Sequence, residues 1–350
     1  MTSGSNKFSD VGSSGHNTKK QTRFYGARSL TSTVNQRTES RTPILKKRKA
    51  KMSLGTVYDR VFKPGPDCIL YHYCSSATFL SILETGKMRF GDVNMMNDVS
   101  EWGYCYRLFE SAANALLDLI PEKPALEGLN ADFFDKVDDY LSPKQLYSHP
   151  VIACFSKEPD VLSQWRGYAD DSRGWAIGFD GQAIAAMPVT MLNVVYDSEQ
   201  QLAEVRNFLA AMYLLWREQG GEFRDVVGRD ASLLASFLLA YKHPSFREEQ
   251  EVRALHELRV DLTENGCQLI DEGGTADGVE VAGETVGFRA VGATIVPYVD
   301  IPLQRANGRT IREVWFGPSN PNGPGNALYP LSQHGHRAVA LHRSASSYRV

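Results

Sequence analysis

Long hydrophobic runs are missing from this chain. No apolar stretch reaches the roughly 18 residues that a membrane-spanning helix needs, so no transmembrane segment is expected. An apolar leader is missing as well: the first 20 residues are polar, and a cleaved signal peptide is not expected. Cysteine is scarce and odd in number. Cys68, Cys74, Cys105, Cys154 and Cys267 show no paired spacing, which argues against a disulfide framework or a thiolate metal centre and for a reduced, cytoplasmic protein. Cys68 and Cys154 fall in apolar strand-like runs and are expected in the core. The histidines are scattered. His334 and His336 stand close together without an obvious carboxylate or cysteine partner, so no metal site is expected. The familiar nucleotide and hydrolase signatures are also lacking: there is no Gly-x-Gly-x-x-Gly after a strand, no P-loop, no Gly-x-Ser-x-Gly elbow and no His-Glu-x-x-His.

What is present divides the chain by charge. Residues 1–52 carry twelve Lys/Arg against two Asp/Glu, about +10, although the whole chain is −3; the remainder is therefore −13. The basic segment is rich in Ser, Thr, Gly and Asn and cannot bury enough apolar surface to offset its ordering entropy, so a disordered tail is expected over 1–52. Its run Lys46-Lys47-Arg48-Lys49-Ala50-Lys51 offers a surface to nucleic acid, an anionic membrane or an import receptor; a solvated basic linker is the plainer reading. The Ser-rich composition also resembles the secretion signals of bacterial type III effectors, which implies delivery into a host cell. The acidic body argues against a broad nucleic-acid surface on the folded part. With 42 % hydrophobic and 10 % aromatic residues overall, residues 53–350 can bury a sizeable core as a single domain.

Local patterns place the elements. Residues 69–73 alternate and are aromatic, which predicts a strand; residues 77–85 put Phe79, Ile82 and Leu83 on one helical face, between a Ser cap at 75 or 76 and Gly86. Strands are predicted at 87–90, 151–156, 174–180, 191–196, 251–258, 285–290, 294–301, 311–316 and 337–342. Asp98 opens a capping box with Glu101 and a helix to about 120. Further helices are predicted near 133–141, in a short stretch capped by Asp160, and near 198–218, 229–241 and 326–335. Residues 261–284 read as an acidic, Gly-rich loop or hairpin region. Regular βαβ alternation is absent, so the expected fold is α+β, with a mixed or antiparallel sheet and helical insertions over about 99–148 and 198–241.

Three clusters could carry chemistry. His72 ends the first strand beside a capped helix. Ser156 ends a buried strand, and Trp165 and Tyr168 follow at helical spacing, able to stack on a ligand ring; the plain alternative for Trp165 is core. Glu249, Glu251 and Arg253 are expected on one face of a strand, with Arg253 neutralising one carboxylate. A carboxylate there can serve a cationic, oxocarbenium-like transition state; a solvated charged strand start is the alternative.

Taken in order, several blocks resemble a bacterial family known as domain of unknown function 2971: 70–75 with 79–89, Asn97-Asp98 with Glu101, Cys154-Phe155-Ser156, 164–168, 174–180, 242–246 with 249–253, Pro297-Tyr298, 311–318 and 347–349. They span about residues 69–349. The opening block further resembles the His-Tyr-Glu branch of the ADP-ribosyltransferases. That resemblance implies an ADP-ribosyltransferase-like core and NAD as substrate. It implies that His72 holds the ribose and the nicotinamide amide, with Tyr168 or Trp165 stacking on the ring. Glu251 would bind the ribose 2′-hydroxyl and stabilise the oxocarbenium ion, and Glu249 would orient or deprotonate the acceptor. Ser156 would support the pocket, and Tyr73 and Arg253 complete the cofactor-binding candidates. Cys74 stands where the related proteins usually have Thr, and a helical insertion precedes the Glu strand. The implied activity is transfer of ADP-ribose to a macromolecular acceptor or to water, in a toxin, effector or defence protein. A non-catalytic nucleotide-binding sensor module and a scaffold whose basic tail does the work remain as alternatives.

Overall fold

A computed structural model describes residues 60–93, 101–220, 226–264, 266–304 and 309–348, with 101–102, 142–147 and 226–229 described by backbone alone. All of them fall within the compact unit Lys49–Val350. The basic tail at 1–52, the Asp98 end of the expected capping box and Arg349 lie outside the described residues.

The chain enters through strand β1 (Ile69–Cys74), helix α1 (Ser76–Thr85) and strand β2 (Lys87–Asp92). The ends of α1 are set locally. Ser75 Oγ accepts from the Thr78 N–H at 3.2 Å, and Gly86 takes the left-handed conformation (φ 62°) while its N–H closes on Ile82 O at 2.9 Å. Phe79, Ile82 and Leu83 are buried as their spacing requires. Helices α2 (Glu101–Asp118) and α3 (Ala131–Tyr147) lead to β3 (Ser148–Ser156), followed by α4 (Leu162–Tyr168), β4 (Trp175–Asp180), α5 (Gly181–Ala185) and β5 (Thr190–Asn193). Helices α6 (Ser198–Glu218) and α7 (Val226–Leu238) precede a 3-10 turn, Pro244–Glu249, and the long strand β6 (Glu251–Thr263). Short strands β7 (Gly266–Ile270), β8 (Gly274–Ala276) and β9 (Val279–Val281) form where a loop or hairpin region was expected. The chain closes with β10 (Val286–Val291), β11 (Thr294–Pro302), β12 (Ile311–Phe316), α8 (Pro324–Gln333) and β13 (Ala340–Arg343).

Among the described residues, eleven strands make one sheet, and β8 and β9 pair separately. Its pairs are antiparallel except β12 with β13. The architecture is thus mixed α and β around a mostly antiparallel sheet.

The sheet forks at β3. One edge of β3 pairs with β6 over its whole length, from Ser148↔Arg259 to Ser156↔Glu251. The other edge is shared: β2 takes Val151 and Ile152, and β1 takes Ser156. Between them Ala153, Cys154 and Phe155 pair only with β6, so the sheet opens into a cleft bounded by β1, β2 and the helix α1 that joins them.

Apolar packing fixes this arrangement. One face of the sheet carries α1 and α8, with Phe79, Ile82, Phe90, Phe155, Phe179 and Leu331 buried together. The other face, at Ile152, Leu192 and Leu255, is covered by α2, α3, α6 and α7 through residues such as Phe109, Val137, Leu209 and Leu234. The two expected insertions therefore form one helical layer with a shared core. No helix among the described residues is long and apolar enough to cross a membrane.

Two local expectations are corrected. Asp160 does not cap α4, whose N-cap position is Val161; the Asp160 carboxylate instead accepts from Trp165 Nε1 at 2.7 Å and from the Ala345 N–H at 2.9 Å. Glu249 does not lie on the strand with Glu251. It ends the 3-10 turn, and Gln250 between them is left-handed (φ 43°).

Candidate functional site

The fork in the sheet holds a cavity of about 560 Å³. Its walls include His72 and Tyr73 from β1, residues 152–155 of β3, Tyr168 from α4, and Glu249 and Glu251 from the turn and strand that follow α7. Groups more than 170 residues apart in sequence thus meet at one opening.

His72 is oriented by the unpaired edge of β3. Its Nδ1 stands 3.0 Å from Cys154 O. A carbonyl only accepts, so Nδ1 carries the hydrogen. Burial pushes the imidazole below its usual pKa, outweighing the carbonyl hydrogen bond, so the ring is neutral. Nε2 is then an acceptor, suited to a ligand hydroxyl or amide N–H.

The carboxylates are built as a pair around one shared cation, Lys242, with Arg253 behind Glu251. Arg253 is wholly buried and grips Glu251 through Nε to Oε1 (2.9 Å) and Nη2 to Oε2 (3.0 Å), while its Nη1 donates to Leu239 O (2.8 Å). Lys242 donates to Glu251 Oε2 at 3.1 Å and also to Glu249 Oε2. Burial alone would raise the Glu251 carboxyl. Arg253 and Lys242 outweigh it and hold the pKa down at about 2, so Glu251 is ionised throughout the neutral range. Glu249 goes the other way: its burial raises the carboxyl above the usual value, and Lys242 offsets only part of that. Two neighbouring carboxylates are thereby given different proton affinities. Burial keeps the Tyr168 hydroxyl protonated, and it donates to Glu249 Oε1 at 3.1 Å.

The helical layer positions this cluster. Buried Gln201 on α6 donates from Nε2 to Lys242 O at 2.8 Å and to Val195 O at 2.7 Å. Tyr196 OH accepts the Glu251 N–H at 3.0 Å, which anchors the first residue of β6.

The other expected site residues are committed to partners within the protein. Trp165 is fully buried, meets Tyr73 edge-on with ring centroids 4.7 Å apart, and spends its indole N–H on Asp160, so it presents no face to a ligand. Ser156 is buried off the cavity wall, and its Oγ accepts the Glu158 N–H at 3.1 Å. Arg253 sits behind Glu251, so its contact is internal rather than with a cofactor. Tyr73 reaches the wall, but its hydroxyl is committed to Glu158 O at 2.8 Å and to the Val161 N–H. Cys154, expected in the core, is half-buried and lines the cavity; burial, and then the nearby Glu251 charge, keeps its thiol protonated and poorly nucleophilic. Cys68 precedes β1 and is also half-buried. Among the described residues, no group of three or more His, Cys, Asp or Glu is placed to hold a metal ion.

Residues 164–254 match a family model described as "Protein of unknown function (DUF2971)". The match supports the DUF2971 family. The matched segment runs from α4 into β6 and so contains Tyr168, Lys242, Glu249, Glu251 and Arg253; His72 lies outside it. No curated protein and no solved structure matches the chain.

Lys242, which joins Glu249 and Glu251 in the candidate site, carries no signal of that role in the sequence. It stands at the end of an apolar helical run just before His243-Pro244, where a Lys reads as an ordinary helix-terminal cation.

Proposed function

We propose that the chain is an ADP-ribosyltransferase-like enzyme that cleaves the nicotinamide–ribose bond of NAD and passes ADP-ribose to a macromolecular acceptor or to water. The observation that carries this reading is the meeting of His72 with Glu249 and Glu251 in one cavity, opened where β1 and β2 part along β3. In the proposed reaction the bond from ribose C1′ to nicotinamide breaks and its electron pair leaves with the nicotinamide. The positive charge that develops on the ribose is stabilised by Glu251, which stays ionised. The acceptor oxygen or nitrogen then bonds to C1′, and its proton passes to Glu249, the carboxylate of higher proton affinity. Neutral His72 accepts from the ribose or the carboxamide through Nε2, and Tyr168 lines the ring-binding wall.

The test is nicotinamide release from NAD by the full chain, wild type beside Glu251→Gln. Release by the wild type that falls at least a hundredfold in the variant is expected, given the roughly 3 kcal/mol that a placed charge contributes to such a transition state. Equal turnover in both removes Glu251 from the mechanism.

A second reading, nucleotide binding without cleavage, is favoured by one specific feature. Glu249 and Glu251 are matched by Lys242 and Arg253, so the cluster as a whole is neutral. Calorimetric binding of intact NAD with no nicotinamide released supports that reading instead.

A further inference from the structure

The cavity has a second end, away from the carboxylates, where β2 meets the β10–β11 hairpin. The registers Gly287↔Tyr298 and Tyr298↔Gly91 put Arg289, Arg89, Tyr298 and Gly91 on one face of the sheet, since residues two apart share a face. Lys87, Arg89 and Arg289 all line the cavity here. Two of them are spoken for. Lys87 Nζ pairs with Glu284 at 2.6 Å, and Arg89 holds Asp300 with two 2.8 Å hydrogen bonds while lying 3.8 Å over the Tyr298 ring. The Arg289 guanidinium has neither a hydrogen-bond nor an ion-pair partner among the described residues. Its Nη2 reaches over Gly91, 4.0 Å from where a Cβ would stand. Thr78 and Ser81 of α1 add hydroxyls to the cavity lining.

The charges on the lining favour an anionic ligand. At the far end Glu249 and Glu251 are neutralised by Lys242 and Arg253, and at this end two of the three cations are neutralised. The uncompensated charge on the described lining is the Arg289 guanidinium, whose planar fork matches phosphate oxygens. Gly91 pairs with Ile152 and Glu251 with Ser156, so the two ends are separated by four residues of β3, roughly 13 Å. A dinucleotide whose reacting ribose sits at the carboxylates would carry its phosphates toward Arg289.

We propose that Arg289 anchors the diphosphate of a nucleotide bound in this cavity. The proposal rests on the reading of the cavity as an NAD site, and its test separates the two. ADP and adenosine are titrated into the full chain by calorimetry, comparing wild type, Arg289→Gln and Arg289→Lys. Arg289 is exposed on a strand at the end of the sheet, so equal thermal unfolding of the three proteins is expected and is checked first. The wild type should bind ADP, with affinity falling at least tenfold in the Gln variant and less in the Lys variant, while adenosine binding stays equal. Equal ADP affinity in wild type and Arg289→Gln overturns the proposal, as does failure of the wild type to bind ADP. Arg289-dependent ADP binding without nicotinamide release upholds the anion site and overturns only NAD cleavage. Nicotinamide release with the same KM for NAD in wild type and Arg289→Gln does the reverse.

Discussion

Replacing Lys242 with methionine removes the ammonium shared by Glu249 and Glu251 while keeping an unbranched side chain beside Phe246, over whose ring the ammonium now lies at 4.9 Å. The three side chains of this cluster are at most 8 % exposed, so solvent screening offers little relief. Breaking a buried pair by deleting one partner costs about 3–5 kcal/mol, because a charge is left uncompensated. Glu251 keeps Arg253, so most of that loss falls on Glu249. The pH dependence follows from the same geometry. Burial already raises the Glu249 carboxyl, and losing Lys242 raises it further above its unfolded value. A carboxyl with a raised folded pKa destabilises the protein increasingly as pH rises through that pKa, because the unfolded state ionises first. The variant should therefore be most impaired near pH 8 and recover part of the loss near pH 5. Urea unfolding of wild type, Lys242→Met, Glu249→Gln and the double variant at both pH values completes the cycle. Glu249→Gln should rescue Lys242→Met, with a coupling energy above about 1 kcal/mol, since contacting residues are not additive. Additive losses, or a Lys242→Met deficit independent of pH, refute the shared-cation account.

Asp271→Asn should show the opposite pH trend. Burial would raise the Asp271 carboxyl, but the N–H groups of Glu284 and Gly273, with His256 at 2.7 Å, hold it low. Its contribution is therefore present at neutral pH and lost as pH falls below about 4, so the gap in unfolding free energy between wild type and variant should close between pH 7 and pH 3; a constant gap contradicts this. Gly174→Ala places a Cβ 2.2 Å from Cys74 O and 2.9 Å from Ala169 O, both backbone atoms that cannot swing aside. It should cost about 3 kcal/mol and several degrees in thermal unfolding, and unchanged melting would show that β4 can shift at its start.

The elements that could be read from the sequence were those whose ends are written locally. Strand β12 and helix α6 occupy 311–316 and 198–218 as expected, and α1 lies between its Ser75 and Gly86 caps. The site was legible only in part, because its chemistry depends on register between distant strands. His72 could be picked out as a histidine late in a strand, Tyr168 as an aromatic at helical spacing from Trp165, and Glu249 and Glu251 as a Glu-x-Glu pair, and the fold brings all four to one cavity. Trp165 and Arg253 could not be told from ligand contacts, since a tryptophan at helical spacing looks the same whether it faces a cleft or a core. Lys242 depends on a hydrogen bond from Gln201, 41 residues away in sequence. Arg289 depends on β10 lying across β11 from β2, a pairing that no local pattern encodes.

The grip of Gln201 on Lys242 O also changes what trimming this protein would mean. Helices α6 and α7 look like an ornament set into a smaller sheet, and a minimal fragment without them would be the natural thing to prepare. Such a fragment would lose the anchor of the carboxylates' shared cation and, through Leu239 O, a contact of the arginine behind them. Its silence in an assay would say nothing about the sheet, and relatives with a shorter segment here would need to hold their carboxylates in some other way.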